Sequence, residues 1–423
     1  MRRQKLSLEL PVVLAIFAMI LLITPKLASA QTETLLHGFK PNTNLDSRLF
    51  SDAAGNLYGM TEFGGAYNGG MLYKLTPSSG GGWTWSVSFS FGATTNDGNA
   101  PCGVPAFDAA GNFYGTNVFA GLYDGGTVFE LTPKAGGGWT QKILYSFHNG
   151  DKDPAGPCGV VMDAAGNLYT TTSGGAYGYG TVVELSPSAS GKWTAKLPHT
   201  FGKSKDGAAV NDGLIMDAAG NLYGTTFLGG AYAASNYGGT VFELSPSTTG
   251  TWTETILYSF GGYNNDGHDP QASVVFDAVG NLYGTTVYGG LYGAENTGGT
   301  AFELSPSGDG TWTETILHNF AYNGTDGFWP VSNLVFDGAG NLYGTASFGG
   351  GAKVCNNQGC GIAFELTSGA GGLWTETILH SFGAGKDGEF PGAGMVIDAA
   401  GNLYGTTTEG GVTGGGAVFQ ITP

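Results

Sequence analysis

Three sets of side chains in this sequence have the types and spacing that chemistry needs, and the first is acidic. An aspartate followed a few residues later by proline recurs as Asp97 and Pro101, Asp266 and Pro270, Asp326 and Pro330, and Asp387 and Pro391. Asp151 and Asp153 precede Pro154, and Asp206 stands at a related place without a proline. Carboxylates and carbonyls gathered by such loops suit calcium, a hard cation that takes oxygen ligands. The spacing does not follow an EF-hand loop, however, and Asp-Gly ahead of proline is a turn signal by itself. No metal ligand set is therefore assigned, and calcium stands as an alternative.

The second set is aromatic. Tyr67, Tyr123, Tyr177, Tyr232, Tyr237, Tyr288 and Tyr292, with Phe328 and Trp329, fall in glycine-rich stretches between apolar runs. Flat rings beside hydrogen-bonding groups suit a neutral polar ligand such as a glycan. The competing reading is that Gly-Ala-Tyr and Gly-Leu-Tyr pin their loops to whatever lies below. The binding candidates are accordingly Tyr67, Tyr123, Tyr177, Tyr232, Tyr292, Trp329, Asp266, Asp326 and Asp387.

Histidine and cysteine make the third set. His37, His199, His318 and His380 occupy one position in four copies of a recurring phrase, where other copies carry Phe89, Tyr145 and Tyr258. Aromatic rings at the matching sites predict packing residues at a rim, too far apart to share one zinc. Cys355 and Cys360 sit close enough for a local bridge, whereas Cys102 and Cys158 occupy equivalent positions in neighbouring repeats and bridge them if their Cα atoms approach within about 7 Å. No Cys-x-x-Cys, G-x-S-x-G or H-E-x-x-H is present, so redox, serine-hydrolase and zinc-protease chemistry have no motif. A polysaccharide hydrolase or lyase would need non-repeated groups, and Asp153, Asp269, His268 and Glu389 are the candidates.

The elements that position these groups are repeats. Asn56, Asn112, Asn167, Asn221, Asn281, Asn341 and Asn402 head copies of "NLYGTT" at spacings of 54 to 61 residues, a period that calls for a repeat architecture. Each unit holds four short runs rich in Val, Ile, Thr and aromatics, bounded by Gly, Pro, Asn or Asp, and these read as strands. The tight connection "DAAGN" supplies an aspartate for side-chain to backbone bonds and a glycine for positive φ. Seven aspartates in seven hairpins (Asp52, Asp108, Asp163, Asp217, Asp277, Asp337, Asp398) read as turn residues rather than as one copied catalytic acid.

The last unit stops one strand short at Pro423, and "QTETLLHGF" near the start aligns with "WTETILHSF" at 374–382. Such a split gains closure for a ring and nothing for a linear stack. The expected fold is all-β: a seven-bladed β-propeller of four antiparallel strands per blade, occupying residues 31–423 as one domain and closed by pairing of the N-terminal strand with the last blade. In each blade "VVFD" is innermost, "NLYG" second and "FELSP" third. Tight turns then share one face and long loops the other, where the loop acids are expected to ring the central opening and focus negative potential there; loops on a rigid scaffold are where binding resides.

Residues 1–30 read as a signal peptide. Arg2, Arg3 and Lys5 precede an apolar run from Leu10 to Ile23, and "LASA" ends at Ala30. A retained anchor is the alternative, although the run is short for a hydrocarbon core of about 30 Å. A secreted, extracellular or periplasmic chain follows, with no membrane contact after cleavage near Ala30. The formal charge of −17 argues against nucleic acid and anionic lipid as partners. The remaining partners are an extracellular glycan or a surface protein, met by a monomer.

The phrases "DAAGNLYGTT", "GGTVFELSPS" and "WTETILYSF", recurring in fixed order, resemble the tandem repeat family described from Gloeobacter and Verrucomicrobia, the GloVer repeat. In one copy the resemblance rests on Asp277, Gly280, Asn281, Leu282, Tyr283, Gly284, Phe302, Glu303, Leu304 and Pro306, with departures at Thr170 and Lys74. It implies secreted or surface-displayed bacterial proteins and supplies no catalytic residue. Some members resemble proteins with C-terminal sorting anchors, which a chain ending in a blade strand at Pro423 is expected to lack. The function expected is that of a secreted non-catalytic protein presenting a ligand- or protein-binding loop face; the polysaccharide-acting enzyme and a structural surface or adhesion component are the alternatives.

Overall fold

One carboxylate organises the first hairpin of every unit. Asp217 Oδ1 accepts the backbone N–H groups of Ala219 and Asn221, each at 2.9 Å, while Oδ2 accepts the Asn221 amide at 2.8 Å and the Tyr223 hydroxyl at 3.2 Å. The same four bonds form at Asp52, Asp108, Asp163, Asp277, Asp337 and Asp398. Every turn aspartate is thereby consumed by its own hairpin. Gly220 follows at φ 87°, a conformation that L side chains adopt at a cost.

The computed structural model describes residues 32–422 except 46, 151, 203–204, 211–212, 233–237, 264, 293–297, 352–354 and 384–385. The expected leader over residues 1–30, Asp151 and Tyr237 lie outside the described residues. Apart from one 3₁₀ turn at Ala370–Gly372, the described residues are strands and turns, and no helix among them is long and apolar enough to cross a membrane.

The strands form seven four-stranded antiparallel sheets, blades 1 to 7 in chain order. Blade 4 is typical, running Ile215–Met216, Leu222–Thr226, Thr240–Pro246 and Trp252–Ser259 from inside to outside. Blade 7 is composite: Val396–Ile397, Leu403–Thr407 and Ala417–Thr422 are completed by Thr32–Gly38, with Thr34 opposite Gln420. The expected seven-bladed propeller and its closure by the N-terminal strand are what the structure shows.

Burial explains the second strand's composition. Leu222–Thr226 is buried at every position because a neighbouring blade covers each face, so the polar alternation of a half-exposed strand disappears. A Cβ on Gly224 would lie 2.7 Å from the Phe242 ring across the sheet, which is why glycine recurs there. Seven apolar clusters, each built from two adjacent blades, hold the ring together. The cluster joining Tyr404 and Val418 of blade 7 to Leu57 and Leu75 of blade 1 closes it.

Candidate functional site

Just before each innermost strand, on the long-loop face, the chain passes through one residue in the left-handed region. These are Asn44 (φ 50°), Ala100 (57°), Gly156 (65°), Ala209 (57°), Asp269 (59°), Trp329 (57°) and Phe390 (57°). Backbone bonds to two blades hold Gly156, Ala209, Asp269, Trp329 and Phe390 in place. Trp329 N–H donates to Gly298 O at 3.1 Å and its carbonyl accepts from Ser347 N–H at 3.0 Å, while Asp269 and Phe390 repeat the pattern with Gly238 and Val287, and with Cys360 and Thr408. A non-glycine residue in this conformation costs about 1–2 kcal/mol, and such strain collects at functional sites.

The backbone repeats here, but the side chains do not. Asp269, Trp329, Phe390 and Asn44 form one continuous arc over blades 5, 6, 7 and 1, whereas Ala100, Gly156 and Ala209 leave the arc over blades 2 to 4 bare. Trp329 meets Tyr288 edge-on at 5.6 Å and Phe348 at 4.9 Å, and Phe348 meets Phe390 at 5.0 Å. The result is a wall of rings above three blades. Asn44 donates its amide to the Glu62 carboxylate beside it.

A cavity of about 300 Å³ opens at the centre of this face, lined by Ser47, Arg48, Glu62, Gln271 and Asn333 and by the Cys102–Cys158 bridge. Among the described residues of its wall, Arg48 is the only base and Glu62 the only acid. Arg48, Val104 and Asn333 form the waist that it shares with a more apolar cavity of about 450 Å³ on the tight-turn side, lined by Phe107, Met162, Met216 and Val275. The expected bridges are both formed: Cys102–Cys158 links blades 2 and 3 with Cα atoms 4.9 Å apart, and Cys355–Cys360 closes its own loop.

Most of the sequence-derived binding residues lie elsewhere. Tyr67, Tyr123, Tyr177, Tyr232 and Tyr292 are 46% to 61% exposed, yet neither they nor Trp329 line the central cavity. Those whose contacts are defined lean over the outer strands. Tyr123 stacks on His148 at 3.9 Å, Tyr177 lies over Gly202, and Tyr232 lies over Gly262. Asp266, Asp326 and Asp387 do not ring the opening either. They turn inward beneath the loops, where Gly262, Ala321 and Gly383 donate backbone N–H groups to them.

At the rim Asp326 and Asp387, and likewise Asp206, meet histidines. His199 of blade 3 places Nε2 3.3 Å from Asp206 and 3.5 Å from Glu254 of blade 4. His318 of blade 5 stands 3.5 Å from Asp326 and 3.6 Å from Glu376 of blade 6. His380 of blade 6 lies 2.8 Å from Asp387, with Glu33 of blade 7 completing the group. The histidines do pack on aromatic rings as expected, Phe201, Phe320 and Phe382, and each faces its own interface. Each glutamate belongs to the next repeat, so no single repeat shows the pairing; the available signal was Trp-Thr-Glu at the head of an outer strand for Glu254 and Glu376, and the aligned Gln-Thr-Glu for Glu33.

Electrostatics follow from that crowding. Burial, reinforced by a neighbouring aspartate, pushes the Glu254 and Glu376 carboxyls up to about 7 despite the adjacent imidazoles. Burial opposes charge on His199 and His318, but their carboxylate partners prevail and hold both above the usual imidazole range. Blade 4 carries Tyr258 where blades 3, 5, 6 and 7 have histidine, and its hydroxyl donates to Glu314 at 3.0 Å beside Asp266. His37 has no carboxylate partner among the described contacts; it stacks on Trp85 at 4.5 Å, and burial lowers its pKa.

The four enzyme candidates are not gathered. Asp153 is exposed in the loop leading to blade 3, His268 and Asp269 pair at 3.3 Å ahead of blade 5, and Glu389 stands beside the Cys355–Cys360 bridge ahead of blade 7.

No curated protein matches the sequence. Among solved structures, the extracellular domain of BT4673 from B. thetaiotaomicron is similar over 92% of this chain and 40% of its own, at 10% identity and a TM-score of 0.54. PorZ, a surface component of the type-IX secretion system of Porphyromonas gingivalis, is similar over 91% of this chain and 47% of its own, at 15% identity and a TM-score of 0.51. This chain thus spans less than half of either, and the likeness is one of fold. A family pattern matches in overlapping spans over residues 23–234, 108–354 and 291–423, and the chain belongs to the Gloeobacter/Verrucomicrobia repeat family.

Proposed function

We propose that this is a secreted, non-catalytic binding protein that takes an extracellular saccharide at the central mouth of its long-loop face. One observation carries the reading: seven equivalent left-handed positions lead into the innermost strands on the long-loop face, and their side chains diversify into Asp269, Trp329, Phe390 and Asn44 on one run of blades only, while Ala100 alone of the seven lines the cavity itself. A scaffold residue would repeat as the turn aspartates do. Trp329 and Phe390 offer aromatic faces for the apolar side of a sugar ring, and the Asn44 amide with the Glu62 carboxylate it meets offers hydrogen-bonding groups for its hydroxyls, which is the mixed surface such a ligand needs; Asp269 is buried and accepts the Gly238 N–H. The bare arc of Ala100, Gly156 and Ala209 leaves room for it.

The leader-like segment and two disulfides support secretion, since such bridges persist in oxidising compartments. A binding role suits the scattered placement of Asp153, His268, Asp269 and Glu389, which brings no acid pair to face the cavity. Screening residues 31–423 against immobilised neutral and acidic oligosaccharides, with product analysis of every binder, tests the proposal. Retained, uncleaved ligand is the expected result; released fragments would replace it with the hydrolase or lyase reading, and silence across the set would count against a saccharide.

A further inference from the structure

We propose that three blade interfaces each hold one divalent transition-metal ion, with zinc the best fit, on one imidazole and two carboxylates. The ligand sets are His199, Asp206 and Glu254; His318, Asp326 and Glu376; and His380, Asp387 and Glu33. In each set one donor atom per residue lies within 4.8 Å of the others.

The distances carry the argument. Zinc bound at about 2.0–2.2 Å to nitrogen and oxygen in a tetrahedron sets its ligand atoms about 3.3–3.5 Å from one another. The His199 contacts are 3.3 and 3.5 Å and the His318 contacts 3.5 and 3.6 Å, long for charge-assisted hydrogen bonds, which run about 2.7–2.9 Å. The third set is drawn tighter, with His380 at 2.8 Å from Asp387. Acceptor atoms are also left over. Glu254 Oε1, Glu376 Oε1 and Glu33 Oε1 are buried without a hydrogen-bond partner, as is Glu314 Oε1 at the interface that carries Tyr258, a costly condition for a carboxylate oxygen unless a cation or a shared proton serves it.

The ligands are held as a metal site requires. Each imidazole is wedged edge-on against a phenylalanine, and each aspartate is oriented by backbone N–H groups: Gly202 and Gly207 for Asp206, Ala321 and Gly327 for Asp326, Gly383 and Gly388 for Asp387. Such outer partners fix ligand direction. Three protein ligands leave the fourth tetrahedral position for water or a donor from outside. A doubly charged ion with a neutral imidazole also balances two carboxylates, which a single imidazolium does not.

The chain contains its own control. At the interface of blades 4 and 5, Tyr258 takes the histidine position beside Asp266 and Glu314, so tyrosine is tolerated there by this fold. Residues 31–423 would be stripped with chelator and titrated with zinc, and separately with cobalt, whose visible bands report tetrahedral coordination. Three ions per chain are expected, falling by one with each of His199→Tyr, His318→Tyr and His380→Tyr. Glu254→Gln, which keeps shape and histidine, should weaken one site at least tenfold. Absence of binding at micromolar free zinc overturns the proposal, as does an ion count or cobalt spectrum that none of these variants changes.

Discussion

Thr170 faces Val183 across the second and third strands of blade 3, at the register where blade 4 sets Gly224 against Phe242. Both pairs fill the same inter-sheet space, one with two medium side chains and the other with none and a large one. Val183→Phe alone should therefore overpack blade 3 and cost about 1–3 kcal/mol. Adding Thr170→Gly should recover most of that loss, since residues in contact couple. Denaturant midpoints of the two single variants and the double variant check it; additive losses would show that the pair does not share its space.

The Cys102–Cys158 bridge joins innermost strands of adjacent blades across 56 residues of sequence, whereas Cys355–Cys360 spans five. Loop-closure entropy makes the longer link the more stabilising, at about 2–4 kcal/mol. Replacing Cys102 and Cys158 by serine should lower the unfolding free energy by that amount, and the same change at Cys355 and Cys360 by distinctly less. Paired urea titrations of the two double variants distinguish them.

Acid–base behaviour should be visible at Asp266. Burial first, and then the Glu314 carboxylate, push its pKa from 3.8 up to about 7. Because the folded value lies above the unfolded one, the protonated group favours the fold below about pH 4, and this contribution is lost as pH rises through about 7. Asp266→Asn should remove that dependence and be the more stable protein at pH 8, by about 1–3 kcal/mol. Melting temperatures of chelator-treated wild type and variant from pH 4 to 8 test the sign; parallel curves would contradict it.

The strained ring makes a prediction of the opposite kind. Ala209 sits at φ 57° with only a methyl group to lose. Ala209→Gly should stabilise the protein by about 0.5–1 kcal/mol, the relief of left-handed strain exceeding glycine's added chain entropy. A loss of stability in a thermal melt would mean that the position is not strained.

Much of the fold was legible because it rests on local, repeated signals. "DAAGN" states its turn chemistry in side chains, and the aligned termini state the closure. The mouth was harder to read. A left-handed backbone is written plainly only when glycine occupies it, and Trp329, Phe390 and Ala209 conceal it; Trp329 was found as an aromatic, without Phe390 or the ring to which it belongs. Asp266, Asp326 and Asp387 were found as acids but expected at the opening, because a loop residue's inward turn depends on the N–H groups it meets. The pairing of His199 with Glu254 joins two repeats, and nothing within one repeat announces it.

On the proposed function, ligand is taken beside the mouth by the arc containing Trp329, rather than at the rim by the exposed tyrosines. Calorimetric titration of a saccharide retained in the screen, against wild type, Trp329→Ala and Tyr177→Ala, tests it most directly. At least a tenfold loss of affinity is expected for Trp329→Ala, since truncating an aromatic anchor commonly removes about 2 kcal/mol or more, and no change for Tyr177→Ala. Unchanged affinity in the tryptophan variant together with loss in the tyrosine variant would move the site to the rim and contradict it.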